Sequence, residues 1–216
     1  MIVKNIVAET PINGFNDLYT PPEGQSSIIT SIIQPKLGGP EGGQFYIVRD
    51  SVRYVFYNFP LPGNNTANVL NSPIFLSDGD VFGVDVDPEN ISRFMLNIIE
   101  NTDTNAITEL IDLTTTSFTL YTNTSLSPEI LVYIYPYTTV STTDFNLTIN
   151  GNTETSFIFD RIPWSDNIPP QDRWKLPIPI ILNPGDVLGG SRTDFCGGWL
   201  GLRSGDYALG IVRNIS

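Results

Sequence analysis

Short apolar runs, each cut off by Pro, Gly, Asn or Asp, alternate with polar loops along the whole chain. The run 52–59 places Val52, Tyr54 and Phe56 on one strand face and Arg53, Val55 and Tyr57 on the other, so it is expected to pack against two layers or a partner chain. Phe145, Leu147 and Ile149 alternate with Asn146 and Thr148, the period of a half-buried strand. No stretch of about ten residues repeats apolar groups at helical spacing without Pro, Gly or a β-branched run. The pattern predicts strands beginning with Ile2-Val3 and Ile6-Val7, then over 26–34, 45–49, 52–59, 74–76, 81–86 and 94–99. It predicts others over 117–122, 129–135, 144–149, 156–159, 178–182, 187–189, 199–202 and 208–212. Pro21-Pro22-Glu23-Gly24 and Asn150-Gly151 are turn signals, because proline presets φ and glycine supplies a positive one. Residues 36–44 and 60–71 read as loops.

Two signals occur twice in the same order. Leu76-Ser77-Asp78-Gly79-Asp80-Val81-Phe82-Gly83 returns as Leu182-Asn183-Pro184-Gly185-Asp186-Val187-Leu188-Gly189, Gly185 standing 106 positions after Gly79. Leu18-Tyr19-Thr20 returns as Leu120-Tyr121-Thr122, 102 positions on. A repeat at about half the chain length argues for an internal duplication. The polar segment 100–105 is the expected linker, giving an N-terminal domain over 1–103 and a C-terminal one over 104–216. The expected fold is all-β: two tandem antiparallel β-sandwich domains.

Composition narrows the function. Charged residues make up 16% of the chain and the net charge is −12, with lysine only at Lys4, Lys36 and Lys175. Nucleic acid and anionic membranes need clustered cations, so neither is an expected partner. No apolar run approaches the ~20 residues of a membrane helix. Glu9, Pro11 and Asn13 interrupt any apolar leader, so no signal peptide is expected. The lone Cys196, between Phe195 and Gly197, reads as a small buried hydrophobe.

The chain contains no histidine. That removes Ser-His-Asp and Cys-His nucleophile pairs, and with one cysteine it leaves zinc without ligands. Carboxylate-only glycoside hydrolysis needs just two acids, but nothing in the sequence selects a pair. No catalytic residue and no cofactor are expected. Asp78, Asp80 and Glu89 fit positions one, three and twelve of a calcium loop, with Gly83 at six; Phe82 at five and the missing flanking helices speak against it. The alternative for Asp80 and Asp186 is a turn carboxylate accepting backbone N–H groups, which explains why both copies carry it.

Trp164, Trp174 and Trp199, with Tyr133, Tyr135 and Tyr137, could stack on sugar rings; the competing readings are core and protein–protein contact. Leu18-Tyr19-Thr20-Pro21-Pro22-Glu23-Gly24-Gln25-Ser26-Ser27-Ile28-Ile29-Thr30-Ser31-Ile32 resembles the opening of many small β-rich structural proteins of tailed bacteriophages. The Gly-Asp turn after an apolar strand is similar to that of trimeric jelly-roll and related sandwich domains, which implies that the two sandwiches are jelly-roll-like. The second copy departs from the first signal at 123–128, where Pro-Pro-Glu-Gly is absent. The resemblance implies a non-enzymatic virion protein that decorates or cements the capsid, or attaches to the neck or tail. Its implied partners are capsid or tail proteins and further copies of itself, a trimer being one such state, with Tyr54, Phe56, Trp164 and Trp174 as expected contact residues. The rival expectation is a carbohydrate-binding module, lectin-like or receptor-binding.

Overall fold

A computed structural model describes residues 1–10, 14–34, 43–59, 67–70, 73–86, 92–100, 105–113, 117–136, 143–159, 179–194 and 205–213. Regular structure among them is strand only. The strands are β1 (Ile2–Thr10), β2 (Gly14–Tyr19), β3 (Ser27–Gln34), β4 (Gly43–Arg49), β5 (Val52–Phe59), β6 (Ala67–Leu70), β7 (Ile74–Leu76), β8 (Val81–Val86) and β9 (Ser92–Glu100). They continue with β10 (Ala106–Leu113), β11 (Ser117–Thr122), β12 (Glu129–Pro136), β13 (Thr143–Ile149), β14 (Asn152–Phe159), β15 (Ile180–Leu182), β16 (Val187–Asp194) and β17 (Gly205–Val212). Two compact units result, Met1–Thr108 and Glu109–Ser216.

The first unit has a sheet ordered β1-β9-β3-β6, with β7 also on β3, and a second ordered β2-β8-β4-β5. The second unit has β10-β17-β12-β15 and β11-β16-β13-β14. Setting β6 aside, the two units have the same strand order element for element. Each places its first, eighth, third and sixth strands in one sheet and the rest in the other, the connectivity of an antiparallel jelly-roll sandwich.

The repeated strings lie side by side in this order. Asp17 pairs with Gly83 and Tyr19 with Phe82, leaving Leu18 as the extra residue of a β-bulge. Thr119 pairs with Gly189 and Tyr121 with Leu188, leaving Leu120 in the same place. A bulge turns two successive side chains the same way. Leu18 and Tyr19 are accordingly both buried, as is Leu120. β3 and β12 share a second bulge, between Ile29 and Ser31 and between Leu131 and Tyr133.

In the first unit the inward faces are aromatic. The ring of Phe45 on β4 lies 5.3 Å from that of Phe82 on β8. It meets Phe94 on β9, across the sandwich, edge-on at 6.0 Å. All three are fully buried, with Ile29, Ile32, Ile47, Ile74, Leu96 and Ile98. Complete burial of one such side chain stabilises by roughly 1.5–3 kcal/mol. Among the described residues, the second core includes Leu120, Leu131, Tyr133, Leu147, Leu182, Leu188, Leu209 and Ile211.

Hairpin chemistry follows the residues. Asn150 and Gly151 have φ of 55° and 69°, and Asp50 and Ser51 in the matching β4–β5 hairpin have 52° and 66°. Two successive positive φ values define the mirror-image turn that suits strand twist. Pro22-Glu23-Gly24-Gln25 closes with Gln25 N–H donating to the Pro22 carbonyl at 3.0 Å, Gly24 at φ 71°.

The structure departs from the expectations at β2, β6, β10 and Glu100. β6 lies inside the stretch read as loop 60–71, and neither β2 nor β10 is among the expected strands. Glu100, assigned to the linker, is the buried last residue of β9, while 101–104 lie outside the described residues. The strand expected over 199–202 also falls outside them. Strand β5 is an edge strand, with Arg53 exposed and Phe56 buried on its two faces.

Two strand glycines carry large tyrosines. Gly83 lies opposite Tyr46 and Gly210 opposite Tyr133. A Cβ on Gly83 would sit 2.2 Å from the Tyr46 ring, and one on Gly210 would sit 2.0 Å from the Tyr133 ring. Both rings are buried, so the clash displaces a packed side chain. Gly210→Ala and Gly83→Ala are each expected to destabilise by about 2 kcal/mol, measured by urea unfolding. In a Tyr133→Ala background the Gly210→Ala cost should largely vanish.

Candidate interaction surface

The Gly-Asp turn, present in both units, is a structural device in each. Asp80 N–H donates to the Ser77 carbonyl at 3.1 Å, and the Asp80 carboxylate accepts the Ser77 N–H at 2.8 Å. Asp186 repeats both bonds with Asn183, at 3.0 and 2.7 Å. The third turn residues, Gly79 and Gly185, have φ of 81° and 85°, values suited to a type II turn. What holds each carboxylate differs. Arg49 at the end of β4 forks onto Asp80 through Nε at 2.8 Å and Nη2 at 2.7 Å. Asn150, in the corresponding hairpin, donates its amide to Asp186 at 2.8 Å and accepts the Val187 N–H at 2.8 Å. These bonds from Asn150 and Asn183 hold the Asp186 carboxyl below its ordinary range.

Each unit also clasps its two sheets with a tyrosine on a carboxylate. The Tyr19 hydroxyl donates to Glu100 at 2.9 Å and lies 2.8 Å from Ser27 Oγ, while Lys4 pairs with the same Glu100 at 2.5 Å. The Tyr121 hydroxyl donates to Glu129 at 2.6 Å, with Arg213 3.7 Å from Glu129 and paired to Glu109. The carboxylate lies on the last strand of the first unit and on the third strand of the second.

Burial first, then the neighbouring carboxylate, pushes the Tyr19 and Tyr121 hydroxyls up from 10.0 to about 12. Folded tyrosine therefore holds its proton more tightly than unfolded tyrosine between those values. Stability should fall as pH rises from about 10 to about 12, followed by tyrosinate absorbance alongside unfolding. Tyr19→Phe and Tyr121→Phe should flatten that fall. Burial opposes ionisation of Glu100, but hydrogen bonds from Lys4 and Tyr19 outweigh it and hold its carboxyl below the ordinary range. Its contribution is present above the unfolded value and is lost as pH falls through the folded one.

The outward face of β2-β8-β4-β5 carries a different kind of cluster. Gly83 leaves room for the Tyr46 ring to lie across β8, and the Tyr46 hydroxyl donates to Asp17 on β2 at 2.8 Å. Phe15, also on β2, meets the Tyr46 ring edge-on at 5.4 Å. The Arg53 guanidinium reaches over from β5 and stacks 3.7 Å from the Phe15 centroid and 4.9 Å from that of Tyr46. Burial and the Asp17 carboxylate hold the Tyr46 hydroxyl protonated far above its ordinary range, outweighing Arg53. Phe15 is 45% exposed and Arg53 is exposed. A pre-stacked arginine on aromatic rings has the composition of an interface hot spot.

The outward face of β1-β9-β3-β7 is banded. Val3, Ile99, Ile28 and Phe75 form one cross-strand row, and Val7, Met95 and Ile33 another. Between them runs the polar row Asn5, Asn97 and Ser31, with Asn97 Nδ2 donating to Ser31 Oγ at 2.6 Å.

Of the contact residues expected from sequence, Phe56 is fully buried, 6.4 Å from the Phe82 ring, and fills the core. Tyr54 is half-buried opposite the core residue Ile47. On the other face of that strand Arg53 is exposed and Val55 half-buried. Trp164 and Trp174 lie outside the described residues, as does Glu89. Asp78 is exposed while Asp80 is buried and bound to Arg49, so the turn separates the two carboxylates. Among the described residues no group of three or more His, Cys, Asp or Glu is placed to hold a metal ion. The Arg53 cluster escaped sequence reasoning, although a glycine inside a strand, Gly83, marks a place where a large neighbour lies flat.

No protein-family model matches the chain, and no curated protein matches it. Among solved structures, it is similar to a chain in the structure of infectious bursal disease virus, Gt strain. That likeness has 10% identity and a TM-score of 0.29, and covers 98% of this chain and 73% of the other.

Proposed function

We propose that the chain is a non-enzymatic structural protein of a virion, seated on the head, neck or tail of a tailed phage through the outward faces of its sheets. The observation that carries this reading is the pre-stacked Arg53–Phe15–Tyr46 cluster on one outward face, with apolar rows on the other. The buried carboxylates Asp80, Glu100 and Glu129 are committed to Arg49, Lys4, Tyr19, Tyr121 and Arg213, which supports a framework role over carboxylate catalysis. A cation already lies over Phe15, so that ring is poorly placed to stack on a sugar. The test is add-back: purified protein is mixed with particles made without it, and the pellet is assayed. Wild type should sediment with particles, and a Phe15→Ala/Arg53→Ala protein of unchanged melting temperature should not. Saturable binding on a glycan array, with no sedimentation, would replace this reading by the carbohydrate-binding one.

A further inference from the structure

The edge strand β1 has the features of a self-pairing strand. Among the described strands only β9 pairs with it. Ile2, Val3 and Val7 are 50, 70 and 60% exposed. Sheet edges are commonly protected by charge, proline or a bulge. Here Lys4 is drawn to Glu100, and Glu9 is paired with Arg93 at 2.6 Å. The corresponding strand of the second unit, β10, carries Glu109 and an exposed Asp112 instead.

We infer that β1 pairs antiparallel with β1 of a second copy, centred on Asn5. In that register Val3 of each copy faces Val7 of the other, and Asn5 faces Asn5. The apolar row Phe75-Ile28-Ile99-Val3 then runs into the partner's Val7-Met95-Ile33 row, and the polar row Ser31-Asn97-Asn5 runs into its own copy. Lys4 faces Ile6, so no like charges meet. Centring on Lys4 would oppose two lysines, and centring on Ile6 would set Val3 against Glu9 and Val7 against Asn5. Of these three registers only the one centred on Asn5 keeps the banding continuous, and a two-fold contact demands such self-complementarity. The two sheets become one through backbone hydrogen bonds, the mode of strand addition. The inference stands apart from the virion role, since it concerns the free protein.

Sedimentation velocity of the full chain tests it. The expected result is a concentration-dependent dimer that Val7→Lys weakens about tenfold or more, because two symmetry-related pairs are lost at once. The double variant Val3→Glu/Val7→Lys should recover dimerisation, since the new charges meet only in this register. In a Cys196→Ser background, Asn5→Cys should cross-link under mild oxidation, because directly opposed strand residues have Cα atoms about 5 Å apart, within disulfide range. Val7→Cys should not. A monomer at all concentrations, an oligomer indifferent to Val7→Lys, or cross-linking at position 7 in place of 5 would overturn the inference.

Discussion

Replacing Asn123 by aspartate should destabilise the second unit by about 4 kcal/mol or more, although the two side chains have nearly the same shape. Asn123 is fully buried. Its amide nitrogen donates to the Ser127 carbonyl at 3.0 Å and the Leu182 carbonyl at 2.8 Å. Its oxygen accepts the Ser125 N–H at 2.9 Å and the Ser125 hydroxyl at 2.7 Å. Its backbone is engaged too, N–H to the Asp186 carbonyl at 3.0 Å and carbonyl from Gly185 N–H at 2.8 Å. One residue thus joins the 123–128 loop to the end of β15 and to the Gly-Asp turn. A carboxylate would keep the acceptor, lose both donors and face two carbonyls without solvent. The buried acid should have a raised pKa, so the penalty should grow with pH and be smallest in acid. Urea unfolding across pH measures it, and an effect below about 1 kcal/mol at neutral pH would contradict the geometry.

The second large effect is an asymmetry. Asp80→Ala should cost about 3 kcal/mol, whereas Asp186→Ala should cost about 1 kcal/mol. The Asp80 side chain is 1% exposed and that of Arg49 is 21% exposed, so removing the acid strands a guanidinium with little water. Arg49 also donates through Nη1 to the Thr108 carbonyl at 2.7 Å, so its displacement would loosen the last residue of the first unit. Asp186 loses only bonds from a neutral amide and a turn N–H in an exposed setting. Thermal unfolding of the two variants side by side is the comparison, and equal losses would show that the arginine fork contributes nothing beyond the turn.

Much of the fold was legible because it rests on local chemistry. Gly24, Gly79, Gly185 and Gly151 marked turns by their need for positive φ, and all four adopt it. The doubled Leu-Tyr and Gly-Asp-x-x-Gly strings were visible as strings, and the pairing of β2 with β8 and of β11 with β16 supplies their reason. What escaped notice was non-local. Glu100 looks like linker because it opens a polar run, yet Lys4 and Tyr19, distant in sequence, make its burial tolerable. Phe56 looked available to a partner because alternation alone does not say which face points inward; its burial against Phe82 decides it. Arg53 drew no attention because its value lies in Phe15, on the far edge of the same sheet.

The most direct test of the structural role is quantitative peptide mass spectrometry on purified particles, scaled to the major capsid protein. The account predicts peptides of this chain at a fixed ratio that survives repeated gradient purification: a high ratio for head decoration, a low one for neck or tail. Peptides absent from particles, or lost steadily with each gradient, would contradict it.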